Sequence, residues 1–100
     1  MSGQIYTINQ IREKLDSVFK RYDIRKAILF GSYGKGTATQ KSDIDLLVDS
    51  NLKGLRFVGF TEDVKEAVDK DVDVFDVSHI KRDSEIDTEI AETGVIIYEE

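Results

Sequence analysis

The sequence predicts an α/β (α+β) fold, a small mixed β-sheet flanked by helices. Three observations predict it. Apolar residues recur at three- and four-residue steps in three segments; short apolar or alternating runs fall between and after those segments; and 100 residues with 40% hydrophobic side chains suffice for one core. Residues 1–100 are therefore expected to form a single domain, without internal repeat or linker.

Thr7 followed by Gln10 fits a capping box, and Ile8, Ile11, Leu15, Val18, Phe19 and Tyr22 share one face of a helix over 8–22. The run 26–30, Lys-Ala-Ile-Leu-Phe, stops at Gly31 and reads as a buried strand feeding a tight turn. Residues 31–42 hold three glycines among Ser, Thr, Lys and Gln, and read as a loop with room for one helical turn. A second strand over 43–48 closes at Asp49, Ser50 and Asn51, whose side chains favour turns.

Phe57, Phe60, Val64, Ala67 and Val68 predict a helix within 55–70, with Gly59 weakening its start. Residues 71–77 alternate as a strand does. A third helix is expected over 84–93, with Ser84 or Asp83 as N-cap and Gly94 as its stop, and a short strand over 94–98. Met1 to Gly3 carry no pattern.

Charge and composition exclude several functions. A net charge of −6, from 14 basic and 20 acidic residues, gives no general grip on nucleic-acid phosphates. Apolar runs such as 27–30 and 95–98 are too short to span a bilayer, and the N-terminus lacks the basic and apolar regions of a signal peptide, so a cytoplasmic protein without membrane contact is expected. There is no cysteine for a disulfide or thiolate zinc site. The single His79 makes a His-based metal site or a Ser-His-Asp triad improbable; it reads as a loop or helix-start residue. Chemistry is left to carboxylates, hydroxyls, lysines and backbone.

Asp outnumbers Glu 12 to 8, and several Asp interrupt apolar runs. Asp43 and Asp45 straddle Ile44 at the head of a strand, so a period of two sends both carboxylates to one face. Their repulsion must be relieved by a raised pKa or a bound cation, and all-oxygen ligands suit Mg²⁺ or Mn²⁺. Asp69/Asp71 and Asp71/Asp73 repeat the Asp-x-Asp spacing, so the pair gains weight only from its place after a Gly-Ser loop. If the two strands are neighbours, Asp73 joins Asp43 and Asp45 in a site able to hold two metal ions. Asp71 sits at the strand's edge, and Asp76, of opposite parity, should face away.

Gly31 directly after a strand lets backbone amides approach a phosphate without a Cβ in the way, the Ser32 hydroxyl adds a donor, and Lys35 adds a charge. The plain alternative is a strand-to-helix turn. Position 37 is Thr where a Walker loop needs Lys, and position 39 is not the third Gly of a dinucleotide fingerprint.

Taken together, Gly31-Ser32, ten intervening residues, Asp43-Ile44-Asp45 and a later Asp73 resemble the active-site signature of the polymerase-β-like nucleotidyltransferase superfamily. The longer strings, Leu-Phe-Gly-Ser-Tyr-Gly-Lys-Gly over 29–36 and Ser-Asp-Ile-Asp-Leu-Leu-Val over 42–48, look like the minimal nucleotidyltransferase (MNT) antitoxins paired with HEPN-type ribonuclease toxins. The resemblance implies that fold, and AMP transfer from ATP or another nucleoside triphosphate to a tyrosine hydroxyl of the toxin. It implies that Asp43 and Asp45 bind two Mg²⁺ ions and that Asp73 binds the one activating the acceptor hydroxyl. Gly31 and Ser32 would hold the β and γ phosphates; apart from the resemblance, the place of Tyr33 inside the phosphate loop suits it to stack on a base. The chain departs from the family at Tyr33 and Lys35, where Arg is common, which bears on triphosphate affinity rather than metal binding.

One hundred residues leave no room for a domain that binds the acceptor, which is expected to be another protein or to be brought by one. Two other readings stand beside this. A non-catalytic antitoxin could neutralise by docking, against which the three carboxylates argue. An adenylyltransferase for a small molecule is disfavoured by the missing second domain.

Overall fold

In the computed structural model, which describes residues 5–100 and so leaves residues 1–4, Met1 to Gly3 among them, outside it, Thr7 caps the first helix as its spacing to Gln10 requires. The Thr7 hydroxyl accepts from Gln10 N–H, and the Gln10 side chain accepts from Thr7 N–H, at 3.1 and 2.8 Å. The elements that follow are α1 (Ile8–Arg21), β1 (Lys26–Phe30), α2 (Gly31–Lys35), β2 (Ile44–Asp49), α3 (Leu55–Val68), β3 (Val72–Asp76), α4 (Glu85–Thr93) and β4 (Val95–Glu99). A 3-10 turn, Val77–His79, follows β3.

The strands form one mixed sheet in the order β3-β2-β1-β4. β1 pairs antiparallel with both β2 and β4, whereas β2 and β3 are parallel, with α3 as the crossover that parallel pairing requires. One face of the sheet, carrying Ala27, Leu29, Ile44, Leu46, Val48 and Val72, closes on Ile11, Leu15 and Phe19 of α1 and on Phe60, Val64 and Val68 of α3. Phe19 meets Phe60 at 6.3 Å and Tyr98 at 5.1 Å between ring centroids, and the Tyr6 hydroxyl donates to Val68 O at 2.7 Å. The tyrosines 6, 22 and 98 are packing residues, as expected.

The second face carries Phe30, Asp45, Leu47, Asp73 and Phe75, with the Phe30 and Phe75 rings 5.9 Å apart. There α4 lies against β1 and α2, and Ile90 faces Leu47 across a small cleft. No described helix is long and apolar enough to cross a membrane.

Of three boundaries, two fall where the sequence pattern puts them and one does not. The loop after Phe30 begins with the single helical turn that its sequence has room for, the five-residue α2, ended by Gly36 in the left-handed region at φ 80°. Helix α3 stops at Asp69, also left-handed, so Lys70 falls outside it. Gly94 ends α4 as expected, without left-handed geometry, at φ −67°. It is small because a Cβ there would lie 2.5 Å from Ile90 O and 2.9 Å from Ile28 Cγ2.

Candidate active site

Parallel pairing of β2 with β3 sets Asp45 opposite Asp73, and Ile44 N–H donates to Asp71 O at 3.1 Å just before that pair. Asp43 immediately precedes β2 and shares the parity of Asp45. Asp43 and Asp73 are exposed, whereas Asp45 is half-buried. Burial, followed by the charges of Asp73, Glu89 and Asp43, pushes the Asp45 carboxyl up to about 6. The condition on which Asp73 would join the pair, that its strand be a neighbour, is met.

Asp76 faces the other way, as its parity requires. Buried, it accepts from the amide and hydroxyl of Ser50 at 3.1 and 2.5 Å and from those of Ser78 at 3.0 and 2.6 Å. Burial alone would raise its pKa, but these hydrogen bonds from Ser50 and Ser78 outweigh burial and lower it. Asp76 thus fastens the strand ends, while Asp73 remains open to solvent.

Phe30 pairs with Asp45 across β1 and β2, so the turn that follows begins beside that carboxylate. Gly31 is held at φ +71°, and a Cβ on it would collide with Asp45 Oδ2 and lie 3.2 Å from Glu89 Oε1. Its N–H donates to Thr93 Oγ1 at 2.9 Å, and that hydroxyl donates to Glu89 O at 2.7 Å. Gly34 carries no Cβ for a similar reason: one would collide with Thr93 O and come within 3.1 Å of Leu29 O. Ser32 is half-buried in the first turn of α2, where amides lack helical partners, and Lys35 is exposed at its end.

The tyrosine of this segment corrects one expectation. Tyr33 is only 3% exposed and its ring belongs to the hydrophobic core, so it is not available to stack on a base. A short helix turns successive side chains by about 100°, which carries Tyr33 inward when Ser32 faces the open side.

Glu89 and Thr93 are the site residues that the sequence did not single out. Glu89 reads as part of the exposed face of α4, and Thr93 as that helix's last residue. Only the docking of α4 on α2 brings them to Gly31.

The donor set suits a hard divalent cation: oxygen ligands only, with one carboxyl already burdened by burial and like charge. Among the described residues no three His, Cys, Asp or Glu side chains are drawn together at ligand spacing, so the structure sets Asp45 opposite Asp73 without closing a three-carboxylate cluster. A cleft of 690 Å³ lies at the opposite end of β2 and β3, lined by Arg25, Asp49, Lys53, Phe57, Asp76 and His79. His79 packs edge-on against Phe57 at 5.6 Å there, away from the carboxylates.

Residues 13–100 match the model of a family described as polymerase beta, nucleotidyltransferase. A Methanocaldococcus jannaschii protein named "Putative protein adenylyltransferase" is 31% identical over 75 residues, covering 73% of this chain and 81% of that one. A chain in the crystal structure of a toxin-antitoxin with AMP-PNP superposes with a TM-score of 0.74 at 22% identity, over 89% of this chain and 73% of its own length. A chain in the complex of tri-AMPylated Shewanella oneidensis HEPN toxin with MNT antitoxin superposes with a TM-score of 0.70 at 18% identity, over 94% and 74%. At these identities the two structural likenesses speak to the fold.

Proposed function

The chain belongs to the polymerase beta nucleotidyltransferase family, and on that premise we propose that it transfers AMP from ATP to a tyrosine hydroxyl of a partner HEPN-type toxin in the cytoplasm, acting as its antitoxin. One observation carries the reading: Asp45 lies opposite Asp73 and directly against Gly31, which supports taking the carboxylates and the Gly-Ser turn as parts of one site. A relative named as a protein adenylyltransferase and structural likeness to toxin-antitoxin complexes support the choice of a protein acceptor.

Asp43, Asp45 and Asp73 would hold Mg²⁺, in two ions, with Mn²⁺ as a substitute. Bound there, Mg²⁺ supplies Lewis acidity that offsets charge on the attacking and leaving oxygens. The protein's own part is to bind and orient. Ser32 donates its hydroxyl to the β and γ phosphates of ATP, Gly31 leaves room for them, and Lys35 adds a positive charge at the end of α2. The acceptor oxygen attacks the α phosphorus in line, the bond to the bridging oxygen breaks, pyrophosphate leaves, and Asp73 takes the acceptor's proton. The product is an AMP ester that blocks the toxin.

Incubating the purified chain with labelled ATP, Mg²⁺ and the candidate toxin, beside Asp43→Ala/Asp45→Ala, tests this. Label on the toxin with the wild type alone supports transfer. Neutralisation by the double variant without label would instead favour docking, and label on an aminoglycoside a small-molecule acceptor.

A further inference from the structure

Gly31 adopts a left-handed φ at the first position of α2, and Phe30, the residue before it, supplies no side-chain cap. What holds this turn comes from the far end of the chain. Thr93 is 7% exposed, its hydroxyl accepts from Gly31 N–H at 2.9 Å, and it donates to Glu89 O at 2.7 Å. Both hydrogen-bonding directions of the hydroxyl are therefore engaged. The Thr93 carbonyl carbon would lie 3.2 Å from a Cβ at Gly34, so the same residue touches both glycines of α2.

We infer that Thr93 is a positioning residue for nucleotide binding, setting the Gly31-Ser32 turn through Gly31 without itself touching the nucleotide. The inference rests on the nucleotidyl-transfer reading above. Because Gly31 N–H is bound to Thr93, it is not free for a phosphate, and the donors left in the turn are those of Ser32 and the amides after it. The hydroxyl selects one orientation of the Gly31 peptide in advance of binding, sparing the nucleotide the cost of ordering it. A β-branched residue with a hydroxyl suits the position: the methyl fills buried space while the oxygen bridges two backbone groups.

Thr93→Val removes the hydroxyl and keeps the shape; Thr93→Ser keeps the hydroxyl. Two readouts are needed. Amide hydrogen exchange at Gly31, followed by NMR on the nucleotide-free chain, is expected to be about tenfold faster in Thr93→Val and within about twofold of wild type in Thr93→Ser. Calorimetric titration with Mn²⁺ and a non-hydrolysable ATP analogue is expected to show binding weakened about tenfold in Thr93→Val, with Thr93→Ser near wild type. In the transfer assay KM for ATP rises in step while kcat changes less.

Equal analogue binding by wild type and Thr93→Val would overturn the inference, as would equal losses in Val and Ser variants, which would assign the effect to packing. A wild-type chain that binds no analogue would overturn the nucleotidyl-transfer reading and the inference with it. Binding by wild type with a Thr93→Val variant indistinguishable from it sinks the inference alone.

Discussion

Asp45 and Asp73 stand directly opposite each other on adjacent parallel strands, so one face of the sheet brings two carboxylates together that the chain keeps far apart. If both serve the transfer reaction, Asp45→Asn and Asp73→Asn should each lower the rate by roughly a hundredfold or more while leaving the fold intact. Without metal, Asp45→Asn should also melt at a higher temperature than wild type, because it removes a half-buried charge beside like charges. Transfer of labelled AMP and a thermal melt in EDTA measure the two effects. Full activity in Asp73→Asn would remove that residue from the mechanism.

The raised pKa of Asp45 has a definite consequence for stability against pH. Its carboxyl titrates near 3.8 in an ordinary setting and at about 6 in the folded protein, so the folded state holds more protons between those values. The favourable contribution is complete below the lower value and disappears as pH rises through the upper one. Metal-free wild type should therefore gain stability between pH 7 and 5 relative to Asp45→Asn, and Mg²⁺ at pH 7 should stabilise wild type but not the variant. Parallel melting curves for the two proteins across that range would contradict this.

Gly31→Ala combines a left-handed backbone with a collision against Asp45 Oδ2. It should cost roughly 1–3 kcal/mol of stability and abolish transfer. Gly34→Ala meets backbone on both sides, Thr93 O and Leu29 O, which cannot swing away as a side chain can. Its loss of stability should equal or exceed that of Gly31→Ala in urea denaturation, and Gly36→Ala, with nothing near its Cβ position, should show only the strain of its φ.

Asp76 and Asp73 share a strand and differ in role. Asp76→Ala leaves the amides and hydroxyls of Ser50 and Ser78 without their acceptor and should cost roughly 3 kcal/mol. Transfer per folded molecule should be unchanged. Because the Asp76 pKa is lowered, the stability it contributes is present above its ordinary value and is lost as pH falls through the folded one. Acid melts of wild type and variant should therefore converge at low pH.

Local signals were readable from the sequence, and long-range ones were readable only as conditions. Thr7 and Gln10 are three residues apart, and their capping box formed as read. The common face of Asp43 and Asp45 follows from strand parity alone, but Asp73 needed its strand to pair with β2, which only the fold could decide. A helical turn at 31–35 does not by itself say which way Tyr33 points, and the docking of α2 carries its ring into the core rather than toward a base. Glu89 and Thr93 gave no sequence signal at all. A Glu on a helix's polar face and a Thr at its end look ordinary until α4 docks on α2.

The hydrogen bond from Gly31 to Thr93 spans 62 residues, and all three carboxylates precede Thr93 in the chain. Translation therefore delivers Asp43, Asp45 and Asp73 before the residue that holds the Gly31-Ser32 turn exists. The strands carrying the carboxylates can pair early, but the turn takes its final shape only after α4 has been made and has docked. The Gly31 turn is thus tied to a residue made after every one of the three carboxylates, and early and late parts of the described chain are joined at this point.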